Sequence, residues 1–250
     1  MIFTEELRWT IFPDMHSHYD QFARALEYHY DSTDRFGILG DVVDGPYPRR
    51  TIALIRSLGE KVVTITGNHE WVLRNSLSTF DTEAAEMRAT ELWPKYEVGM
   101  LAAYELHKVV CENGWFGKAE LLREAMTSDG TLDWLDRLPP YIETPTFIGI
   151  HAGPNLNTPW IEQAEELDEQ SNESRRIYEQ PDQIFSKQNG LIVPVPVEVD
   201  KRLFVTGHMH ADATFRAEQR RLPGRIGLAS RISIGDPLYT WTSEDDTIHE

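Results

Sequence analysis

Short apolar runs alternate with amphipathic stretches through the first third of the chain. Trp9-Thr-Ile-Phe12, Phe36-Gly-Ile-Leu39 and Val62-Val-Thr-Ile-Thr66 are rich in β-branched and aromatic residues and predict strands. Between them, Asp20 to Tyr28 carries Phe22, Ala25 and Leu26 at helical spacing. Arg50 to Leu58 carries Ile52, Leu54 and Ile55 before a stop at Gly59, and predicts a second helix. Strand and helix in alternation predict an α/β fold with a largely parallel, buried sheet.

The middle of the chain changes period. Thr82 to Trp93, Val98 to Val110 and Lys118 to Met126 space their apolar residues by three and four, which predicts helices. They form a helical insert between residues 71 and 140, either a cap beside a pocket or ordinary packing on the sheet. A short turn at Leu132-Asp-Trp-Leu135 ends at Pro139-Pro140. Thr146 to Ile150 predicts a strand ending at His151. Ile161 to Gln180 is acid-rich and reads as a solvated helix face. Leu203-Phe-Val-Thr206 predicts a strand leading into Gly207-His-Met-His210, and Thr214 to Thr242 alternates enough for further short strands.

Composition narrows the function classes. The chain has 250 residues, enough for one sizeable core, and a single domain over residues 1–250 is expected. The net charge is −17. That disfavours nucleic acid as a partner, and equally an anionic membrane bound through a basic surface. No run of 18 apolar residues predicts a membrane helix. Acids near the start argue against a signal peptide, so a soluble cytoplasmic setting is expected. The one cysteine, Cys111, cannot form an internal disulfide and reads as a small apolar core residue.

The candidate chemistry gathers where strands end. Asp14-Met-His16, Gly40-Asp-Val-Val-Asp-Gly45, Gly67-Asn-His-Glu70, His151-Ala-Gly153 and Gly207-His-Met-His210 each follow an apolar run, and five of the nine histidines lie in them. In an open α/β sheet, sites form at the carboxyl ends of strands. In an extended segment, residues two apart face the same way, so Asp14 and His16 can face one metal, as can His208 and His210. Asp41 is the natural carboxylate to bridge two cations. Imidazole, carboxylate and amide donors suit divalent Mn, Fe or Zn, and no thiolate favours a softer metal.

Taken together and in this order, these motifs resemble the calcineurin-like metallophosphoesterases. The front half is similar to the phosphoprotein phosphatase and diadenosine tetraphosphatase branch, through Asp14-Met-His-Ser-His-Tyr-Asp20 and through Trp134-Leu-Asp-Arg-Leu-Pro-Pro-Tyr141 before His151. The resemblance implies a two-sheet β-sandwich flanked by helices. It implies that Asp14, His16, Asp41 and His210 hold one metal, and that Asp41, Asn68, His151 and His208 hold a second. His69 would protonate the leaving oxygen, oriented by Asp44, and Glu70 would have no ligand role. Its other reading is a hydrogen-bonding acid at a helix start.

Three departures from that branch are visible. Gly45 stands where the branch has a phosphate-holding Arg; Arg49 or Arg50 could substitute, the alternative being arginines on a solvent-facing helix start. Ser17 replaces a usual Gly, with His18 next as a pocket or surface residue. Gly207-His-Met-His210 is the form of the wider superfamily.

The expected activity is metal-dependent hydrolysis of phosphate esters, using a water activated by two divalent ions and a His general acid. Mn2+ is the first expectation for the metals, with Fe, Zn2+ or Ni2+ as alternatives. The first substrate class is a monoester on a phosphoprotein or a small phosphorylated molecule, and the second a dinucleoside polyphosphate. A non-catalytic scaffold on the same fold is the reading from another class. It is disfavoured because every ligand position is filled.

Overall fold

The computed structural model describes residues 1–78, 98–109, 115–172, 194–208, 221–228 and 238–249. The expected helix from Thr82 to Trp93, together with Cys111 and His210, lies outside them, as does most of the stretch expected to carry late strands.

Two five-stranded sheets make the frame. In the first, β1 (Trp9–Phe12), β2 (Arg35–Ile38) and β3 (Val62–Thr64) run parallel. Beyond β1 the sheet continues antiparallel through β9 (Thr240–Thr242) and β10 (Thr247–His249). The second has the order β4 (Tyr141–Glu143), β5 (Phe147–Ile150), β6 (Leu203–Thr206), β8 (Arg225–Gly227), β7 (Arg221–Leu222). Here β5, β6 and β8 are parallel, and the outer strands are antiparallel. Both sheets are therefore mixed, where the sequence pattern predicted a largely parallel one.

All four residues of β1 are buried because the strand is covered on both faces. Trp9 and Ile11 face the second sheet, with Val205 and Ile226 in the same core. Phe12 faces the other way, among Phe22, Leu26 and Ile52 of the helices. Aromatic edges join the sheets: the Trp9 and Phe147 rings lie 5.8 Å apart, and Phe147 and Trp241 5.1 Å. A third cluster packs Trp160, Ala164 and Leu167 against Ile148, Ile150 and Phe204.

The helices over the first sheet are α1 (Tyr19–His29), α2 (Pro48–Ser57) and α3 (Asn68–Ser78). Pro48 opens α2, where its fixed φ fits and its missing N–H is no loss. The insert supplies α4 (Val98–Ala103), α5 (Trp115–Ser128) and α6 (Thr131–Asp136). The helix expected to run to Val110 stops at Ala103, because Glu105 takes a left-handed backbone with φ 61°. Last comes α7 (Trp160–Asn172), whose Glu162, Glu165 and Glu169 are exposed as its charge pattern predicts. No helix among the described residues is long and apolar enough to cross a membrane.

Candidate metal centre

Each parallel strand from β1 to β6 hands the chain to a polar loop at the same edge of the sandwich. Asp14 and His16 follow β1, Asp41 and Asp44 follow β2, and Asn68 opens α3 after β3. His151 follows β5 directly, and His208 stands two residues beyond β6. The fold thus gathers side chains that are up to 194 residues apart in sequence, the separation of Asp14 and His208.

Three groups of ligand atoms form among the described residues: one is His16, Asp44 and His69, and the other two share Asp41. Asp14, His16 and Asp41 bring atoms within 4.8 Å of one another, and so do Asp41, His151 and His208. The His151 Nδ1–H donates to the Leu39 carbonyl at 2.6 Å, which leaves the Nε2 lone pair turned into the cluster. That Nε2 lies 2.9 Å from Asn68 Oδ1, 3.1 Å from His208 Nδ1 and 3.6 Å from Asp41 Oδ1. Oxygen and nitrogen lone pairs converging in a buried space suit a borderline or hard divalent cation. The residues present therefore fit the metals that the sequence motifs imply. His210 is outside the described residues, so its placement is not part of this geometry.

Asp44 sits between two imidazoles. His16 Nδ1 lies 2.9 and 3.0 Å from its two oxygens, and His69 Nδ1 lies 3.0 Å from Oδ2. Burial alone would raise the Asp44 pKa, but hydrogen bonds from both rings hold it well below the ordinary carboxylate range. Burial opposes charge on His16, yet the Asp44 hydrogen bond and the surrounding carboxylates push its pKa up to about 10. His69 is raised too, as Asp41 and Asp44 outweigh its burial. With Nδ1 engaged by Asp44, His69 turns Nε2 towards Asp41 Oδ2 at 3.4 Å. The sequence pairs Asp44 with His69 alone; the structure shows it serving His16 as well.

Glu70 is the residue that sequence reasoning undervalued. Its carboxylate is buried and accepts four backbone N–H groups: Asp41 at 2.7 Å, Gly67 at 2.9 Å, Val42 at 2.7 Å and Val43 at 3.0 Å. Reaching back to Gly67 is the usual helix-start role of an acid in the first turn. The other three bonds bind the Asp41 loop to the start of α3. Burial raises the Glu70 pKa, with the Asp41 charge adding to it, against the pull of the backbone donors. Asp14 makes a parallel clamp, accepting the His208 N–H at 2.9 and 2.7 Å.

These clamps hold backbone that would not rest there unaided. His16, Asp41 and His208 have φ of 40°, 53° and 56°, in the left-handed region. Such conformations cost about 1–3 kcal/mol each and persist where surrounding contacts impose them. The same crowding explains Gly45. Its φ is 92°, and a Cβ there would overlap the His16 carbonyl oxygen. No arginine, nor any other side chain, fits this position. The insert reaches this loop as well, for a Cβ on Gly99 of α4 would come to 3.0 Å from the Gly45 carbonyl oxygen.

Arg49 and Arg50 are not brought into the ligand cluster. Arg49 stacks 4.5 Å over Tyr104 and faces Asp129 at 3.8 Å, tying α2 to the insert. Arg50 stacks 3.7 Å over Tyr19, at the start of α1 just past the Asp14–His16 loop. His18 stands partly exposed before α1, and burial lowers its pKa.

The calcineurin-like phosphoesterase family model matches residues 7–212. Among solved structures, the chain is similar to a candidate diadenosine tetraphosphatase, with 17% identity over 99% of this chain and 96% of that one, at a TM-score of 0.56. It is also similar to the cold-active protein-tyrosine phosphatase of the psychrophile Shewanella sp., with 13% identity over 99% of this chain and 78% of that one, at a TM-score of 0.56. At these identities the likeness is one of fold. No curated protein matches the chain significantly.

Proposed function

We propose, for a chain that belongs to the calcineurin-like phosphoesterase family and is a phosphoric ester hydrolase, that it cleaves phosphate monoesters of a phosphoprotein or small molecule at a dinuclear centre. The observation that carries this reading is Asp41, shared by two groups of ligand atoms, with His69 Nε2 facing it. Asp14, His16 and Asp41 would hold one divalent ion, joined by His210 on the family pattern. Asp41, Asn68, His151 and His208 would hold the other. Such ions supply positive charge for the phosphoryl oxygens and make water acidic enough to attack near neutral pH.

The chain's own residues do the rest. Asp44 Oδ2 lies 3.0 Å from His69 Nδ1 and would keep that ring charged and oriented. Nε2–H would protonate the departing alkoxide, and the ring would become neutral as the ester oxygen takes the proton. Among the described residues Arg49 has a carboxylate partner and Arg50 has none, so Arg50 is the candidate to hold the substrate phosphate in place of the arginine excluded at Gly45. Residues 1–250 would act as a single domain, since one apolar core joins both sheets.

The test is a panel of substrates with Mn2+ added to metal-stripped protein. The expected result is turnover of p-nitrophenyl phosphate and phosphopeptides well above that of bis-p-nitrophenyl phosphate or dinucleoside tetraphosphate. Faster cleavage of the dinucleotide would overturn the substrate class. A pure, folded protein that neither binds Mn2+ nor turns over any member of the panel would instead be a scaffold.

A further inference from the structure

His151 and His208 meet across the gap between β5 and β6, and a buried cation lies behind them. Arg225 opens β8 and is 1% exposed. Its Nε donates to Thr206 Oγ1 at 3.1 Å, and its Nη2 to the Ala152 carbonyl at 2.7 Å. The Gly207 N–H donates to the His151 carbonyl at 2.8 Å. These three bonds close a ring: Ala152, Arg225, Thr206, Gly207, His151. The ring fastens the residue after one candidate ligand to the two residues before another.

The guanidinium lies under Gly153, whose φ of 136° is a conformation side chains rarely adopt, and a Cβ there would come to 2.8 Å from Nη2. Among the described residues no carboxylate pairs with Arg225. Burial lowers its pKa to about 10, so it remains charged at neutral pH. Burying a charge without a counter-ion is unfavourable. The sandwich core does not require it, since Ile226 is the β8 residue in that core.

We infer that Arg225 is a positioning residue that sets His151 against His208, so that both can serve one metal ion. This rests on the two-metal reading above. Ligand-orienting groups of this kind typically change metal affinity by about 10–100-fold.

The experiment titrates metal-free protein with Mn2+ and follows the two binding steps, alongside Tm without metal. Wild type is expected to bind two ions. Arg225→Met is expected to weaken one step by about 10–100-fold and to leave the other unchanged. Arg225→Lys should recover part of the loss. Thr206→Val, which removes the acceptor of Arg225 Nε and the Oγ1–H that donates to the Ile226 carbonyl at 3.3 Å but keeps the side chain's shape, should show a smaller loss in the same step. If Arg225→Met fails to fold, Thr206→Val and Arg225→Lys decide the matter. Folded variants with both steps intact overturn the role, and so does an equal loss in both steps that tracks Tm. A wild type that binds no ion, or only one, overturns the two-metal reading itself and this role with it.

Discussion

Replacing His69 with Ala is expected to lower kcat by ~10²–10⁴ on esters with poor leaving groups, while both metal affinities stay close to wild type. Three contacts support that separation. The His69 backbone N–H donates to Asp41 Oδ1 at 3.1 Å, and Ala retains it. The imidazole Nδ1 lies 3.0 Å from Asp44 Oδ2, and Nε2 is turned towards Asp41 Oδ2 at 3.4 Å. Asp44 also keeps its bonds to His16, so the loop after β2 does not lose its anchor. The loss should shrink with p-nitrophenyl phosphate, whose phenolate leaves without a proton. Steady-state kinetics on a phosphoserine peptide and on p-nitrophenyl phosphate check this. Equal losses on both, or loss of bound Mn2+, would show that His69 is structural or a ligand.

Glu70→Gln is expected to be the most damaging change among residues that touch no metal. An amide replaces one oxygen of a buried carboxylate that accepts N–H groups through both. In one orientation its NH2 faces the Asp41 and Gly67 donors, and in the other the Val42 and Val43 donors. Two buried N–H groups lose their acceptor either way, at about 1–3 kcal/mol each. The sum, about 2–6 kcal/mol, corresponds to a fall in Tm of the order of 10 °C for a chain of this size. The Asp41 loop would also loosen, since its left-handed φ is held by these bonds. Both Mn2+ affinities should fall together, because Asp41 belongs to both groups. Thermal unfolding and Mn2+ titration of the variant read both effects. An unchanged Tm would show that the four bonds do not hold the loop.

The local level of this fold was legible in sequence. Trp9–Phe12 and Leu203–Thr206 are strands with the expected limits, and α1 and α2 start within two residues of expectation. The apolar runs are continuous because each sheet is covered on both faces, and that is what marks them. The positions of Asp14, Asp41, Asn68, His151 and His208 at strand ends follow from the same pattern. What stayed hidden depends on contacts between distant residues. β9 pairs with β1 across more than 200 residues, and nothing local announces it. Glu70 looks like an ordinary helix-start acid until the 41–43 backbone folds onto it. Gly45 reads as a missing arginine until the His16 carbonyl is seen where its side chain would be. Arg225 carries no motif at all. Its role depends on which two loops its strand lies beneath.

A dinuclear centre requires Asp41 to join two metal sites. Electron paramagnetic resonance of the protein loaded with Mn2+, with the metal content measured on the same sample, tests it directly. Two ions per chain and the spectrum of an exchange-coupled pair are expected. One ion per chain, or two ions with the spectra of isolated Mn2+, would contradict it.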